Sequence, residues 1–212
     1  MSGRLLPRRR FFAAAPFVAP LLGCSVFPSP PAPRMYRLNP TLGPKPTALR
    51  LKTTLAIALP SAPESLDTDR IALTRGPIRF EYYADSVWTD RLPALLRVLL
   101  LEAFETSGGI TDIEGGADAV THGYVLQTGI RRFEARYAEL DSHKPEIVVA
   151  LDLRLTFGLD GQQVGRTLIE EHALCSQNNM DDIVRAFDTA AGSALSEVVS
   201  WTTNELASAH HV

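Results

Sequence analysis

Apolar and polar positions alternate along several stretches of this chain, and in two others they recur every three to four residues. In residues 49–59, Leu49, Leu51, Thr53, Leu55, Ile57 and Leu59 occupy every second position, lining one face of a strand. A shorter alternation starts at Met35, where Tyr36 and Leu38 interleave with Arg37 and Asn39 until Pro40 stops it. Residues 71–73 and 78–83 predict two short strands around Arg75-Gly76-Pro77. In 124–137, Leu126, Thr128 and Ile130 share one alternation, and Phe133, Ala135 and Tyr137 the other. The three-residue step between the two sets predicts a bulge at Arg131-Arg132. The longest run, 147–159, places Ile147, Val149, Leu151, Leu153, Leu155, Phe157 and Leu159 opposite Asp152, Arg154 and Thr156. Asp160-Gly161 then turns the chain, and 165–175 returns as the hairpin partner.

The helical period appears first over 88–106, at Trp88, Leu92, Leu95, Leu96, Leu99 and Ala103. Thr89 or Asp90 is placed to cap it, Pro93 sits in its first turn where an amide hydrogen has no partner, and Gly108-Gly109 ends it. The second helix, over 180–203, carries Met180, Ile183, Val184, Phe187, Ala191, Ala194, Leu195, Val198 and Val199 on one side. Asn178 or Asn179 caps it, and Asp181-Asp182 sit at its positive end. Strands with one apolar face and two amphipathic helices to cover it predict an α+β fold: an antiparallel sheet with both helices packed on one face.

Composition narrows the function. A chain of 212 residues that is 45% apolar can bury one core and is not disordered as a whole. Its net charge of −3 and pI near 6.0 argue against a nucleic-acid partner. The average hides an asymmetry, since residues 1–23 hold four arginines and no acid. Basic residues 1–10 precede an apolar run that ends at Leu21-Leu22-Gly23, directly before Cys24. That order is a secretory leader, and with Pro16 and Pro20 its apolar part is too short to cross a hydrocarbon core of about 30 Å. Leu21-Leu22-Gly23-Cys24 resembles a bacterial lipobox, in which the Cys24 thiol receives diacylglycerol and cleavage between Gly23 and Cys24 then frees an amine that receives a further acyl chain. Arg8-Arg9-Arg10-Phe11-Phe12 also fits a twin-arginine signal, so both export routes stay open. Ser25, in place of an aspartate, resembles an outer-membrane address. Residues 25–34 hold four prolines, a tether reaching about 30 Å in polyproline geometry. The expected organisation is a signal peptide over 1–23, a lipidated cysteine and proline-rich tether over 24–34, one domain over 35–205 and a polar tail over 206–212.

The lipobox, the tether, Tyr36-Arg37-Leu38, Asp69-Arg70-Ile71, Tyr82-Tyr83, Trp88 and Leu92-Pro93, in this order, resemble the ABC-type transport auxiliary lipoprotein family, typified by the paraquat-inducible lipoprotein. The resemblance implies an outer-membrane-anchored periplasmic accessory of an MCE-type lipid transport system, in which an MCE protein carries lipid between the inner and outer membranes. It implies no enzymatic activity, no cofactor beyond the acyl groups on Cys24, and an MCE-domain protein as partner. A ring-shaped conduit is matched by several copies, so a homo-oligomer is expected. The alternative is a periplasmic module that carries lipid in its own cavity.

The residues themselves offer no catalytic set. There is no G-x-S-x-G, Cys175 is the one thiol left after acylation, and Glu170-Glu171-His172 on a strand point to alternating faces, which leaves no metal site. His122, His143, His210 and His211 form no ligand pair with helical spacing. For partner binding the candidates are Tyr83, Trp88, Arg131 and Arg132. Phe80 and Tyr82 share an alternation assigned to the core, Tyr83 faces the other way, and Trp88 reads as core or interface. Arg131 and Arg132, with Arg136, make a basic spot on an otherwise acidic domain.

Overall fold

Ten elements follow one another in the computed structural model, which describes residues 32–43, 50–116, 123–139, 143–158 and 161–209. They are β1 (Arg34–Tyr36), β2 (Leu51–Ile57), β3 (Arg70–Arg75), β4 (Arg79–Trp88), α1 (Leu92–Ser107), β5 (Ile110–Glu114), β6 (Tyr124–Tyr137), β7 (Glu146–Phe157), β8 (Gln162–Leu174) and α2 (Met180–Ala209). The leader, Cys24 and most of the tether lie outside the described residues, as do His122, Leu159, Asp160 and the terminal histidines.

The fold is α+β: one eight-stranded sheet and two helices. β6 organises the sheet. One of its edges pairs with β7 from Tyr124 opposite Phe157 to Arg136 opposite Glu146, and the register slips between Ile130 and Arg132, where the bulge was expected. Its other edge is divided, pairing with β2 at 124–126 and with β3 at 135–137. Between the two, Ser61 bridges to Gly129. The β6–β7–β8 meander is antiparallel, as predicted. The sheet as a whole is mixed, because β2 and β3 run parallel to β6, β5 parallel to β2, and β1 parallel to β4. Alternation with a period of two reads the same in both directions, so it could not disclose this. β5 is also new; its five residues complete an edge beside β2.

The register brings Leu126 beside Leu155, Ile130 beside Leu151 and Phe133 beside Val149, so apolar positions far apart in sequence merge into one face. Both helices contribute to the core on that face, through Leu96, Leu100 and Phe104 from α1 and Phe187, Leu195 and Val198 from α2. Trp88 is 2% exposed, and its ring meets Phe133 and Phe187 edge-on at 6.2 and 5.1 Å. It ends β4 instead of opening the helix, and as a core residue it is withdrawn from the partner-binding set.

Helix ends follow local chemistry in part. Asn179 Oδ1 accepts the Asp182 amide at 3.0 Å, and Asn179 Nδ2 donates to the Asp182 carboxylate, which caps α2. α1 has Arg91 at its cap position with no side-chain cap bond; instead Arg91 pairs with Asp67, and Pro93 occupies the first turn. Gly108, at φ 63°, closes α1 in the left-handed conformation. α2 continues to Ala209 with Leu206 fully buried, so the stretch from 206 begins as packed helix and not as a polar tail. The loop after β1 crosses α2 at Gly192, where a β-carbon would lie 2.5 Å from the Thr41 carbonyl oxygen. Hydrogen bonds from the Asn39 amide to Asp188 and from the Gly43 amide to Ser196 fasten it.

Candidate functional site

On β4, the alternation runs opposite to expectation. Glu81 lies opposite Leu73, a core residue, so Glu81 and Tyr83 share the helix side of the sheet, while Phe80 and Tyr82 share the outer side. Phe80 is exposed and contacts Tyr82 edge-on at 5.4 Å; the Arg70 guanidinium lies 3.7 Å over the Tyr82 ring. The reason is the irregular pairing between Arg70–Val87 and Ala72–Tyr82, which contains Asp85 at φ 52° and breaks the alternation that ties this segment to Trp88. Tyr83 is half-buried, and its hydroxyl lies 3.0 Å from that of Tyr137, which in turn donates to Asn178 Oδ1 at 2.7 Å. Burial, and then the Tyr137 hydroxyl, raise the Tyr83 pKa well above the ordinary tyrosine value. Tyr83 therefore holds the β4 and β6 ends against the start of α2, with only part of its ring left for a partner.

Cys175 packs nearby, buried, its thiol pushed up to about 11 by burial and by the charge of Asp182. It has the character of a structural thiol. Among the described residues no group of three or more His, Cys, Asp or Glu side chains is placed to hold a metal, and no helix is long and apolar enough to cross a membrane.

Arg131 and Arg132 lie at the β6 bulge on the outer face of the sheet, and the tertiary structure sets them in a charged field that the sequence showed only in fragments. Arg131 and Arg166 both bond to Asp152, Arg166 through two nitrogens at 2.8 and 3.1 Å. These two guanidinium groups hold the Asp152 carboxyl down to about 2. Arg132 pairs with Glu170, and Arg136 with Glu146. His172 stands between the two acids, 3.0 Å from Glu170 and 3.3 Å from Glu146. Glu134, 8% exposed, accepts from Thr74, and burial raises its carboxyl pKa against the lowering influence of Arg132 and Arg136.

An open groove of about 690 Å³ runs along this face, lined among others by Leu59, Gln127, Arg131, Asp152, Arg154 and Arg166. Arg131 and Arg166 hold the Asp152 carboxylate there, and Arg154, which also lines the groove, is exposed with no ion-pair partner among the described residues. The groove is thus locally positive on a domain of acidic composition, and Leu168, 59% exposed, stands beside it on β8. Arg154 and Arg166 were missed as site residues. Asp152 and Arg154 were legible as a polar face, yet it takes the β7–β8 register, with Arg154 opposite Arg166, to bring the cluster together.

Comparison with known proteins agrees with this architecture. The crystal structure of a Xanthomonas campestris protein superposes with a TM-score of 0.77 at 23% identity, covering 84% of this chain and all of that one. A hypothetical protein from Chlamydia trachomatis matches with a TM-score of 0.50 at 11% identity, covering 74% of this chain and 99% of that one. At these identities the likeness is one of fold. An uncharacterized protein of Bradyrhizobium diazoefficiens is 27% identical over 158 residues, which are 74% of this chain and 41% of that relative. The family model for the ABC-type transport auxiliary lipoprotein component matches residues 36–199, nearly the whole described domain from β1 into α2. With that match, this chain belongs to the ABC-type transport auxiliary lipoprotein family, whose members are membrane-anchored components of the bacterial envelope.

Proposed function

We propose that this protein is anchored in the outer membrane by diacylglycerol and an N-acyl chain on Cys24, faces the periplasm, and serves as a non-catalytic accessory of an MCE-type lipid transporter. The observation that carries the reading is the position of Leu21-Leu22-Gly23-Cys24, twelve residues ahead of a matched auxiliary lipoprotein domain. One acyl chain binds a bilayer only marginally, and two or more bind stably. A conduit reaching out from the inner membrane would then meet this domain, and the positive groove at Arg131, Arg154 and Arg166 suits an acidic surface on such a partner.

The packing of the interior supports an accessory over a carrier. The space between sheet and helices is filled around Trp88, Phe133 and Phe187, where a bound acyl chain would need room. The test is co-purification with the MCE-domain protein from solubilised membranes. The Arg131→Glu, Arg132→Glu double variant should lose most of the partner while keeping its circular dichroism spectrum. Cys24→Ala should leave the protein unprocessed or soluble. Unchanged capture by the double variant removes the groove from the docking surface, and lipid tightly bound to a monomer favours the carrier.

A further inference from the structure

The chain enters the domain from one particular end of the sheet. β1 runs parallel to β4, Arg34 opposite Ser86 and Tyr36 opposite Trp88, so the residues ahead of Arg34 approach from the side where β4 begins. That side carries the β3–β4 hairpin tip. Through β3, Arg34 lies at about the level of Arg70 and Arg79 at that of Arg75, a difference of about five strand residues, or about 15 Å. Nine residues lie between Cys24 and Arg34. The tip therefore stands about 15 Å beyond Arg34, on the side from which the chain enters β1.

Its construction is that of a rigid prong. Gly76, at φ 61°, donates its amide to the Tyr137 carbonyl oxygen at 3.0 Å. The Arg75 guanidinium lies 4.1 Å over the Tyr137 ring and 3.6 Å from Glu81. Braced in this way, the turn holds out Ile78, 90% exposed, and beside it Arg79, exposed and without an ion-pair partner among the described residues. Leu174, 81% exposed, stands at the same end of the sheet on β8, because Glu146 pairs with both Arg136 and Leu174. A lone exposed isoleucine is ordinary on a protein surface. An isoleucine and an unpaired cation on a braced turn, at the end where an acylated chain enters, form an apolar tip with a charged collar, as membrane-interface segments do.

We propose that the β3–β4 tip is a second membrane contact, in which Ile78 enters the boundary between headgroups and acyl chains of a phospholipid surface and Arg79 meets the lipid phosphates. The inference rests on the acyl anchor proposed for Cys24. It sets the orientation of the domain: the β3–β4 and β6–β7 ends of the sheet face the bilayer, the β7–β8 turn points away, and the arginine groove lies on the flank, open to a periplasmic partner.

The test uses the full mature protein in vesicles of phosphatidylethanolamine and phosphatidylglycerol that contain a brominated lipid. Ile78→Cys and, as the control on the outer sheet face, Leu168→Cys are each labelled with an environment-sensitive fluorophore; both sites are exposed, and Cys175 is buried. The label at 78 should be blue-shifted and quenched several-fold more than the label at 168. Adding Arg79→Glu to Ile78→Cys should reduce the quenching. Intact mass of the protein reads the acylation of Cys24 separately. An acylated protein whose labels at 78 and 168 are quenched alike overturns the tip contact and leaves the anchor standing. An unacylated protein overturns the anchor, and the orientation with it.

Discussion

The two faces of the central sheet exclude water by opposite means. On the helix side, Ile147, Val149, Leu151, Leu153 and Leu155 of β7 disappear under α2 and the aromatic group of Trp88, Phe133 and Phe187. On the outer side, Val148 and Ala150 of the same strand are just as inaccessible, at 0 and 1% exposed, although no helix among the described residues packs on that face. Their neighbours in the register are Arg132, Glu134, Glu170 and His172, whose long side chains pair above them and roof them over. The first face is held by transfer from water and by close packing; the second is held by paired charges that remain partly solvated, and so adds less to stability. It also leaves the Arg154 guanidinium available in the groove, without an ion-pair partner among the described residues.

That contrast breaks first at Trp88. Trp88→Ala removes the ring that packs edge-on against both Phe133 and Phe187 and should destabilise the fold by about 3–5 kcal/mol, measured by urea unfolding. If the loss is below that of an ordinary surface change, the helix side is not the stabilising face. Gly192→Ala is expected next, at about 1–3 kcal/mol, since the new methyl group meets a backbone carbonyl that the loop cannot easily withdraw.

On the outer face, Asp152→Asn should cost about 1 kcal/mol at neutral pH, because Arg131 and Arg166 are left around an uncharged amide in a partly solvated groove. The sign follows from the lowered pKa. A carboxyl held near 2 in the folded state, against an ordinary value of 3.8, stabilises the fold above about pH 4, and that contribution is lost as pH falls through 2. The gap between parent and variant should therefore close over this window, and it should shrink in high salt. A gap that persists at pH 2 would mean that packing, and not charge, is at work there. The smallest effect is expected of Leu168→Ser, within about 0.5 kcal/mol, as the side chain is largely exposed. A weaker capture of the proposed MCE partner by that variant would extend the docking surface along β8 from Arg166 to Leu168.

The sequence by itself determined the periodic elements, the bulge at Arg131-Arg132, the glycine stop of α1 and a cap for α2 at Asn178 or Asn179, because each of these depends on side chains a few residues apart; the structure selects Asn179. It also carried the order of motifs that resembles the family, a membership the match over residues 36–199 shows. Only the tertiary structure decided strand direction, since a two-residue period is blind to it, and the side of the sheet that Tyr83 faces, since an irregular pairing at Asp85 resets the alternation. The length of α2 escaped the periodicity as well, because Leu206 is one apolar residue in a polar stretch and becomes core only when the sheet is beneath it. The same holds for the arginine groove: Arg131, Arg154 and Arg166 lie on three different strands, and the register that aligns them is set by the burial of the opposite face.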